Sequence, residues 1–419
     1  MYTLKDRVNH MPKPHLHIAI PAMDELAFLP QTLDCIAQQV THSPFTVYVC
    51  VNQPDEWWQD TEKIEICERN QQLINLLKGE YPFKIEVLDY SSSGCGWKGK
   101  NFGVGWARKR LFERIFYSSC DEEDILISLD ADTTFESNYF ESIAQNFQKH
   151  PMWHAIAVPY YHPLTHCDEL DRAMLRYEIY MRNYAINLLH IESPYSFTAL
   201  GSAIAARVKS LKKIGGITPL KSGEDFYLLQ KLRKMGMVGL WNEACVYPGT
   251  RYSHRVFFGT GPAMEKGNNG DWTSYPIYPH TLFQKIAETY QLIDELYLHD
   301  LDTLFLSFLQ CQFKQHDLWQ PLRDNAKDSF QFNRAFHEKA DGLRILQFLK
   351  EEYKGEEIPE ISILLENLSV FATKEKLQKL LPHLYPYKNH CLNVLTTSEM
   401  NEVRDFLFEE EMNYRKHVD

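Results

Sequence analysis

Four short apolar runs alternate with helical stretches in the first 130 residues, and this alternation limits the possible folds more than any other feature. The runs cover residues 16–21, 45–51, 84–89 and 124–129, and the helical stretches cover 26–40, 61–78 and 101–118. Strands that alternate with helices form right-handed βαβ units. Further strands are predicted at 154–159 and 198–205, with a helix at 170–189 between them. The sequence therefore predicts an α/β protein with a doubly wound, mostly parallel sheet and flanking helices.

The last third of the chain has a different pattern. Apolar residues recur at helical spacing from residue 301 onward. The first of them are Leu301, Leu304, Phe305, Phe308 and Leu309. We expect a first domain of residues 1–280, followed by an α-helical domain or extension of residues 281–419.

Composition excludes several classes of protein. The net charge is −12 without a long basic block, which argues against a nucleic-acid partner. Nine scattered cysteines without a Cys-x-x-Cys pair indicate reduced thiols in the cytoplasm. No run of 18 apolar residues occurs, so we expect no membrane span. A peripheral position at the inner membrane face stays open as an alternative to the free cytoplasm.

Polar or glycine-rich sequence follows each of the four predicted strands. Ligands of open α/β sheets bind beyond the carboxyl ends of the strands. The four segments are Pro21-Ala22-Met23-Asp24-Glu25, Asn52-Gln53-Pro54-Asp55, residues 91–101 and Asp130-Ala131-Asp132. Their convergence predicts a ligand site along one edge of the sheet.

The fourth strand runs into two aspartates, Asp130 and Asp132. An extended backbone would project both carboxylates to one side, about 6–7 Å apart. Neighbouring negative charges repel, and a divalent cation shared with a phosphate would remove that repulsion. A solvated acidic turn is the alternative.

Residues 94–100 allow a competing interpretation. They fit the G-x-x-x-x-G-K pattern of P-loops, in which backbone N–H groups surround phosphates. Asn101 lacks the hydroxyl that binds magnesium in that motif. A P-loop-like kinase or nucleotidyl enzyme remains the alternative.

Two acidic residues, Glu224 and Asp225, open a predicted helix at 227–235. One of them could serve as a general base, because adjacent helical residues point about 100° apart and only one can face the reaction centre. A helix N-terminus lowers the pKa of a carboxylate, so burial would have to offset this effect. Simple capping of the helix is the alternative.

Arg251 and His254 precede a glycine-rich run at 259–270. Arginines beside such a loop suit a lid over a diphosphate. His254 is a candidate metal ligand.

Taken in order, these motifs resemble a family 2 glycosyltransferase of the GT-A type over roughly residues 15–260. The matching segments are IPAMDE, VNQPD, GKNFGVGWARK, LDADT, GSAIAARVKSLKKIGG and GEDFYLLQKLRKMG. The resemblance implies that residues 1–280 are a catalytic domain with a GT-A-like sheet. A non-catalytic binding protein on the same fold is a further alternative.

The resemblance also implies an activity and assigns roles to residues. The activity is transfer of a sugar from a nucleotide-diphosphate sugar to an acceptor hydroxyl, with inversion. A UDP-sugar is favoured over a GDP-sugar, and a glycan or lipid-linked glycan is the expected acceptor. Mn²⁺ or Mg²⁺ would bind Asp132 and Asp130, with His254 as a further ligand, and Asp225 beside Glu224 would be the base. The residues implied around the nucleotide are Pro21, Ala22, Glu25, Asn52, Lys100, Asp130, Ala131 and Asp132. Since the Gln-x-x-Arg-Trp segment of processive synthases is missing, addition of a single sugar is expected.

Overall fold

A computed structural model describes residues 13–119, 121–220, 223–251, 267, 271–353 and 358–418. The chain forms two compact units. The first unit consists of residues up to Leu170 together with Thr198–Glu265, and the second consists of Asp171–Phe197 together with Lys266–Val418. The chain thus leaves the first unit after residue 170 and returns to it at residue 198.

The first unit contains all the described strands, and most of them form one seven-stranded sheet in the order β3-β2-β1-β4-β7-β6-β8. β5 and β9 form a separate antiparallel pair. The strands are β1 (Leu16–Ala22), β2 (Phe45–Asn52), β3 (Lys84–Tyr90), β4 (Ile125–Ser128), β5 (Thr134–Phe135), β6 (Trp153–Ala157), β7 (Ile204–Arg207), β8 (Met237–Gly239) and β9 (Val246–Tyr247). Only β7 among the seven runs against its neighbours, so the predicted mostly parallel sheet is confirmed.

Burial explains which apolar runs became central strands. Every residue of β1 and β4 is buried, as expected for strands covered by helices on both faces. β3 lies at the edge and is only partly buried, with Lys84 and Glu86 on it. Charged side chains on an edge strand discourage pairing with another chain.

Helices cover the sheet, as predicted, and several of them are shorter than the helices predicted from the sequence. The helices of the first unit are α1 (Leu29–Ala37), α2 (Ile64–Leu77), α3 (Val104–Ser118), α4 (Tyr139–Lys149), α6 (Val208–Lys213) and α7 (Glu224–Met235). α5 (Asp168–His190) begins in the first unit and continues in the second. α1 starts later than predicted, with Pro30 in its first turn, where the missing N–H of proline costs nothing.

Two boundaries differ from the sequence prediction in ways that affect the site. The strand predicted at 198–205 is found at Ile204–Arg207. The helix predicted to begin at residue 227 begins at Glu224, so Glu224 and Asp225 both lie in its first turn. Gly223 precedes it with a φ of 75°, a left-handed conformation that glycine adopts without strain.

The second unit is helical in the part that the structure describes, in agreement with the predicted helical pattern. Besides most of α5, its helices are α8 (His280–Gln291), α9 (Ile293–Leu298), α10 (Leu304–Phe313), α11 (Gln320–Asn325), α12 (Ser329–Lys339), α13 (Gly342–Glu352), α14 (Glu360–Phe371), α15 (Lys374–Leu384) and α16 (Thr397–Val418). No described helix in either unit combines the length and the apolar character needed to cross a membrane.

Candidate active site

The four polar segments follow β1, β2, β3 and β4, which all run parallel. Parallel strands end at the same edge of a sheet, which is where open α/β sheets bind ligands. The register pairs Ala22 with Val51 and Asn52 with Tyr90, so these ends are level. The sheet therefore brings the predicted segments to one edge.

Asp130 and Asp132 lie beyond the end of β4, which stops at Ser128. The backbone there is a turn in which the Thr133 N–H donates to the Asp130 carbonyl at 3.3 Å. The expectation of an extended backbone at this point is therefore wrong. The two carboxylates do lie at the predicted edge, but each is held by a different arginine.

Arg251 binds two of the acidic residues. Its Nε donates to Asp132 Oδ2 at 2.6 Å, and its Nη2 donates to both carboxylate oxygens of Glu25 at 2.7 and 2.9 Å. The guanidinium also lies 4.4 Å from the centre of the Phe28 ring. Arg251 thus joins the segment after β1 to the turn after β4.

Burial dominates the electrostatics of Asp132. The pKa of Asp132 is raised to about 6, chiefly by desolvation and also by Asp130 and Glu25, with Arg251 opposing the rise.

Arg108 connects the other aspartate to α7. Its side chain is buried, and its Nη2 donates to Asp130 Oδ1 at 2.5 Å while its Nη1 donates to Glu224 Oε1. A Cβ at Gly201 would lie 1.9 Å from Arg108 Nη2, so only glycine leaves room for this guanidinium. Sequence reasoning missed Arg108; the only local signal was a basic residue on the apolar face of α3.

Glu224 and Asp225 have different environments. Glu224 is buried against Arg108, whereas Asp225 is half-buried and accepts the Phe226 N–H at Oδ1 at 2.8 Å. Burial and then the neighbouring Glu224 raise the pKa of Asp225 to about 7, although Arg108 opposes them. Burial therefore outweighs the helix N-terminus here, as a general base near neutral pH requires.

The residues expected around a nucleotide lie at the ends of β1 and β2. Pro21 and Ala22 are buried in the last part of β1. Asn52, also buried, donates from Nδ2 to the Ala22 carbonyl at 2.9 Å and accepts the indole N–H of Trp97 at 3.1 Å. The amide of Asn52 is thus used to hold three segments together.

Ala131 and Lys100 complete the predicted set. Ala131 is buried, and its carbonyl accepts the Thr32 hydroxyl at 2.9 Å, which fixes the turn after β4 to α1. Lys100 is exposed.

The segment after β3 does not have the geometry of a P-loop. The Trp97 N–H donates to the Gln53 carbonyl and the Asp55 N–H donates to the Trp97 carbonyl, both at 2.9 Å. α3 begins only at Val104, so Lys100 lies before the helix rather than in its first turn. A phosphate cradle needs free backbone N–H groups that lead directly into a helix.

A divalent cation fits the oxygen donors of this edge. Asp130 Oδ2 and Asp132 Oδ1 make no hydrogen bond within the part of the chain that the structure describes. Carboxylate oxygens suit Mg²⁺ and Mn²⁺, which complete their shells with phosphates and water. The described residues contain no group of three or more His, Cys, Asp or Glu placed to hold a metal by themselves. The predicted ligand His254 lies outside the described residues.

No protein-family model and no curated protein sequence matches this chain. Among solved structures, the chain is similar to S. aureus TarS 1–349 in complex with UDP-GlcNAc, at 13% identity and a TM-score of 0.39 over 96% of this chain and 92% of that one. It is also similar to the mannosyltransferase PcManGT from Pyrobaculum calidifontis in complex with GDP-Man and Mn²⁺, at 11% identity and a TM-score of 0.36 over 97% and 90% of the two chains.

A third similar structure is the glucosyl-3-phosphoglycerate synthase from Mycobacterium tuberculosis in complex with UDP. The identity is 12% and the TM-score 0.33, over 64% of this chain and 85% of that one. All three TM-scores are below 0.5, so these similarities do not decide an activity. The function has to be argued from the residues of the site.

Proposed function

We propose that the protein is a glycosyltransferase that moves a sugar from a nucleotide-diphosphate sugar to an acceptor hydroxyl. The first unit would carry the catalysis, within the domain predicted at residues 1–280. The proposal includes a UDP-sugar as donor and a glycan or lipid-linked glycan as acceptor. It also includes inversion at the anomeric carbon and the addition of one sugar at a time. The proposed location is the cytoplasm, either free or at the inner membrane face.

One observation carries the proposal. At one sheet edge lie two aspartates, each with one carboxylate oxygen that makes no hydrogen bond to any described residue. Beside them lies a separate carboxylate whose pKa is raised toward neutrality. Asp130 and Asp132 are the pair, and Asp225 is the separate carboxylate. Transfer from a nucleotide-diphosphate sugar needs both features: charge compensation for the leaving diphosphate and a base for the attacking hydroxyl.

The residues of the chain suggest how the step would proceed. The acceptor oxygen attacks the anomeric carbon while its proton passes to Asp225. The bond from the anomeric carbon to the diphosphate oxygen breaks, and its electron pair leaves with the diphosphate. When bound by Asp130 and Asp132, a divalent cation would neutralise charge on that diphosphate. Arg251 and Lys100 add positive charge on the same side.

The proposal is tested by thermal shift and by transfer assays with UDP-, GDP- and ADP-sugars and with ATP, each with and without Mn²⁺. Stabilisation reports ligand binding to the native state. We expect one nucleotide-diphosphate sugar to raise the melting temperature, and to raise it more in the presence of Mn²⁺. When an acceptor is added, the same donor should release its nucleoside diphosphate.

Two variants sharpen this experiment. Asp132→Asn should remove the additional effect of Mn²⁺, whereas Asp121→Asn, which changes an exposed acid just before β4 at the opposite edge, should keep it. Stabilisation by ATP alone, or a response to Mn²⁺ that survives Asp132→Asn, would contradict the proposal.

A further inference from the structure

Arg108 is a buried cation in the middle of the site, and neither the motif assignments nor the proposed reaction gives it a role. It lies on the buried face of α3, and its buried Nε has no hydrogen-bond partner in the described part of the chain. Its two other nitrogens hold carboxylates from two different segments: Asp130 after β4 and Glu224 in the first turn of α7. Burying a charge is costly, so such an arginine needs both partners to be stable there.

The surrounding backbone is shaped to admit this arginine. Gly201 leaves space for the guanidinium, and its carbonyl accepts the Ser128 hydroxyl at 2.7 Å at the end of β4. Gly105, one turn before Arg108, lets α3 approach the segment ahead of α7, because a Cβ there would lie 2.2 Å from the Leu220 carbonyl oxygen. Two close approaches thus bring α3, β4 and the start of α7 together around one side chain.

This arrangement divides the roles of the two acidic residues of α7. Glu224 is neutralised by Arg108 and is buried, so it cannot reach an acceptor. Asp225 is half-buried and makes no ion pair with any residue that the structure describes. The charged groups that act on Asp225 from the described elements are Glu224 on its own helix, Arg108 on α3 and Asp130 after β4.

We propose that Arg108 is a positioning residue that ties Asp130, on the diphosphate side, to Glu224 and so places Asp225 as the base. The inference rests on the proposed function, since it assigns a role within the same site. For transfer, the distance between Asp130, which would hold the donor, and Asp225, which would accept the proton, has to be fixed. Arg108 contacts both the turn that carries Asp130 and the first turn of α7 that carries Asp225. Glu224 is then a second positioning residue that holds Arg108.

The test uses the opposite electrostatic effects of the two positioning residues. Removal of the positive charge in Arg108→Met should move the acidic limb of the pH profile of kcat to higher pH. Removal of the negative charge in Glu224→Gln should move it to lower pH, in both cases by on the order of one pH unit. Both variants should lose at least tenfold in kcat with a smaller change in KM.

Arg108→Lys keeps the charge but loses the two-pronged contact, so it should leave the pH limb in place while kcat falls. Lys109→Met is the matched control on α3. The Lys109 ammonium forms a weak surface pair with Glu113, at 4.0 Å, so this variant should behave as wild type. A titration of Asp225 by ¹³C NMR, assigned with Asp225→Asn, gives the same shifts without any activity assay.

The outcomes separate the two proposals. If wild type neither binds nor transfers a nucleotide sugar, the proposed function fails whatever Arg108 does. If wild type transfers a sugar but folded Arg108 and Glu224 variants keep its kcat, or shift the titration of Asp225 in the same direction or not at all, only the role of Arg108 is refuted. If Arg108→Met fails to fold, the pH profiles and kcat values of Glu224→Gln and Arg108→Lys still test the role of Arg108.

Discussion

At the scale of single residues, the site depends on which carboxylates are paired and which are free. Asp132 and Glu25 share Arg251, and Asp130 and Glu224 share Arg108. Among the described residues Asp225 has no such partner, and burial raises its pKa. A carboxylate in this state is the one best suited to accept a proton near pH 7.

Asp225→Asn should therefore abolish transfer and spare donor binding. An amide has nearly the same shape but cannot accept the proton, and removing a general base typically costs about 10²–10⁴-fold in rate. The measurements are kcat with the donor found by thermal shift and the affinity of the same donor by calorimetry. Unchanged turnover would exclude Asp225 as the base.

The same variant should stabilise the protein in a manner that depends on pH. A carboxylate whose pKa is raised by folding costs nothing below its ordinary pKa and lowers the free energy of unfolding as pH rises toward 7. The melting temperature of Asp225→Asn should therefore equal that of wild type near pH 4 and exceed it at pH 8. A gap that is constant or shrinks as pH rises would contradict the raised pKa.

At the scale of elements, the second unit shows how two distant helices are held together by buried charge. Arg182 and Glu178 on α5 form an ion pair with each other. Each also pairs with a residue of α16: Arg182 with Glu411 at 2.6 Å, and Glu178 with Arg404 at 2.9 Å. All four side chains are fully buried. Arg415 on α16 also pairs with Glu411, at 2.6 Å, so two buried glutamates face three buried arginines. Removing one of the glutamates therefore leaves buried positive charge uncompensated.

Glu411→Gln should lower the free energy of unfolding by about 3–5 kcal/mol, measured by urea denaturation, because Arg182 and Arg415 both lose a buried partner. Glu288→Gln is a suitable control, because Glu288 on α8 forms an exposed pair with Lys285 at 3.0 Å and its loss should cost below about 1 kcal/mol. Equal small losses in both variants would show that the buried network does not stabilise the unit.

Helices and strands were predicted better than their ends. β1, β2 and β3 agree with the predicted runs to within a residue, because a continuous apolar run bounded by polar residues is a local signal. The strand at β7 was misplaced because small residues before it form turns rather than a ladder. The start of α7 was missed because Gly223, not a side-chain cap, begins that helix.

At the scale of the whole molecule, we expect the fold without ligands not to depend on a metal. Arg108 and Arg251 already compensate the carboxylates that a cation would bind. EDTA should therefore leave the circular dichroism spectrum and the melting temperature of the ligand-free protein unchanged. It should remove the part of the donor-induced stabilisation that requires a metal. Unfolding by EDTA alone would show instead that a metal supports the fold.

Local sequence patterns were enough to predict the class of the fold and the segments that meet at one edge of the sheet. Apolar periodicity and the polar ends of strands are local properties, so they can be read without the structure. The tertiary structure alone decided the partners. Arg108 and Glu224 are 116 residues apart, and Arg251 and Glu25 are 226 apart. Such pairs, and the burial that raises the pKa of Asp225, arise only when the folded sheet brings distant segments to one edge.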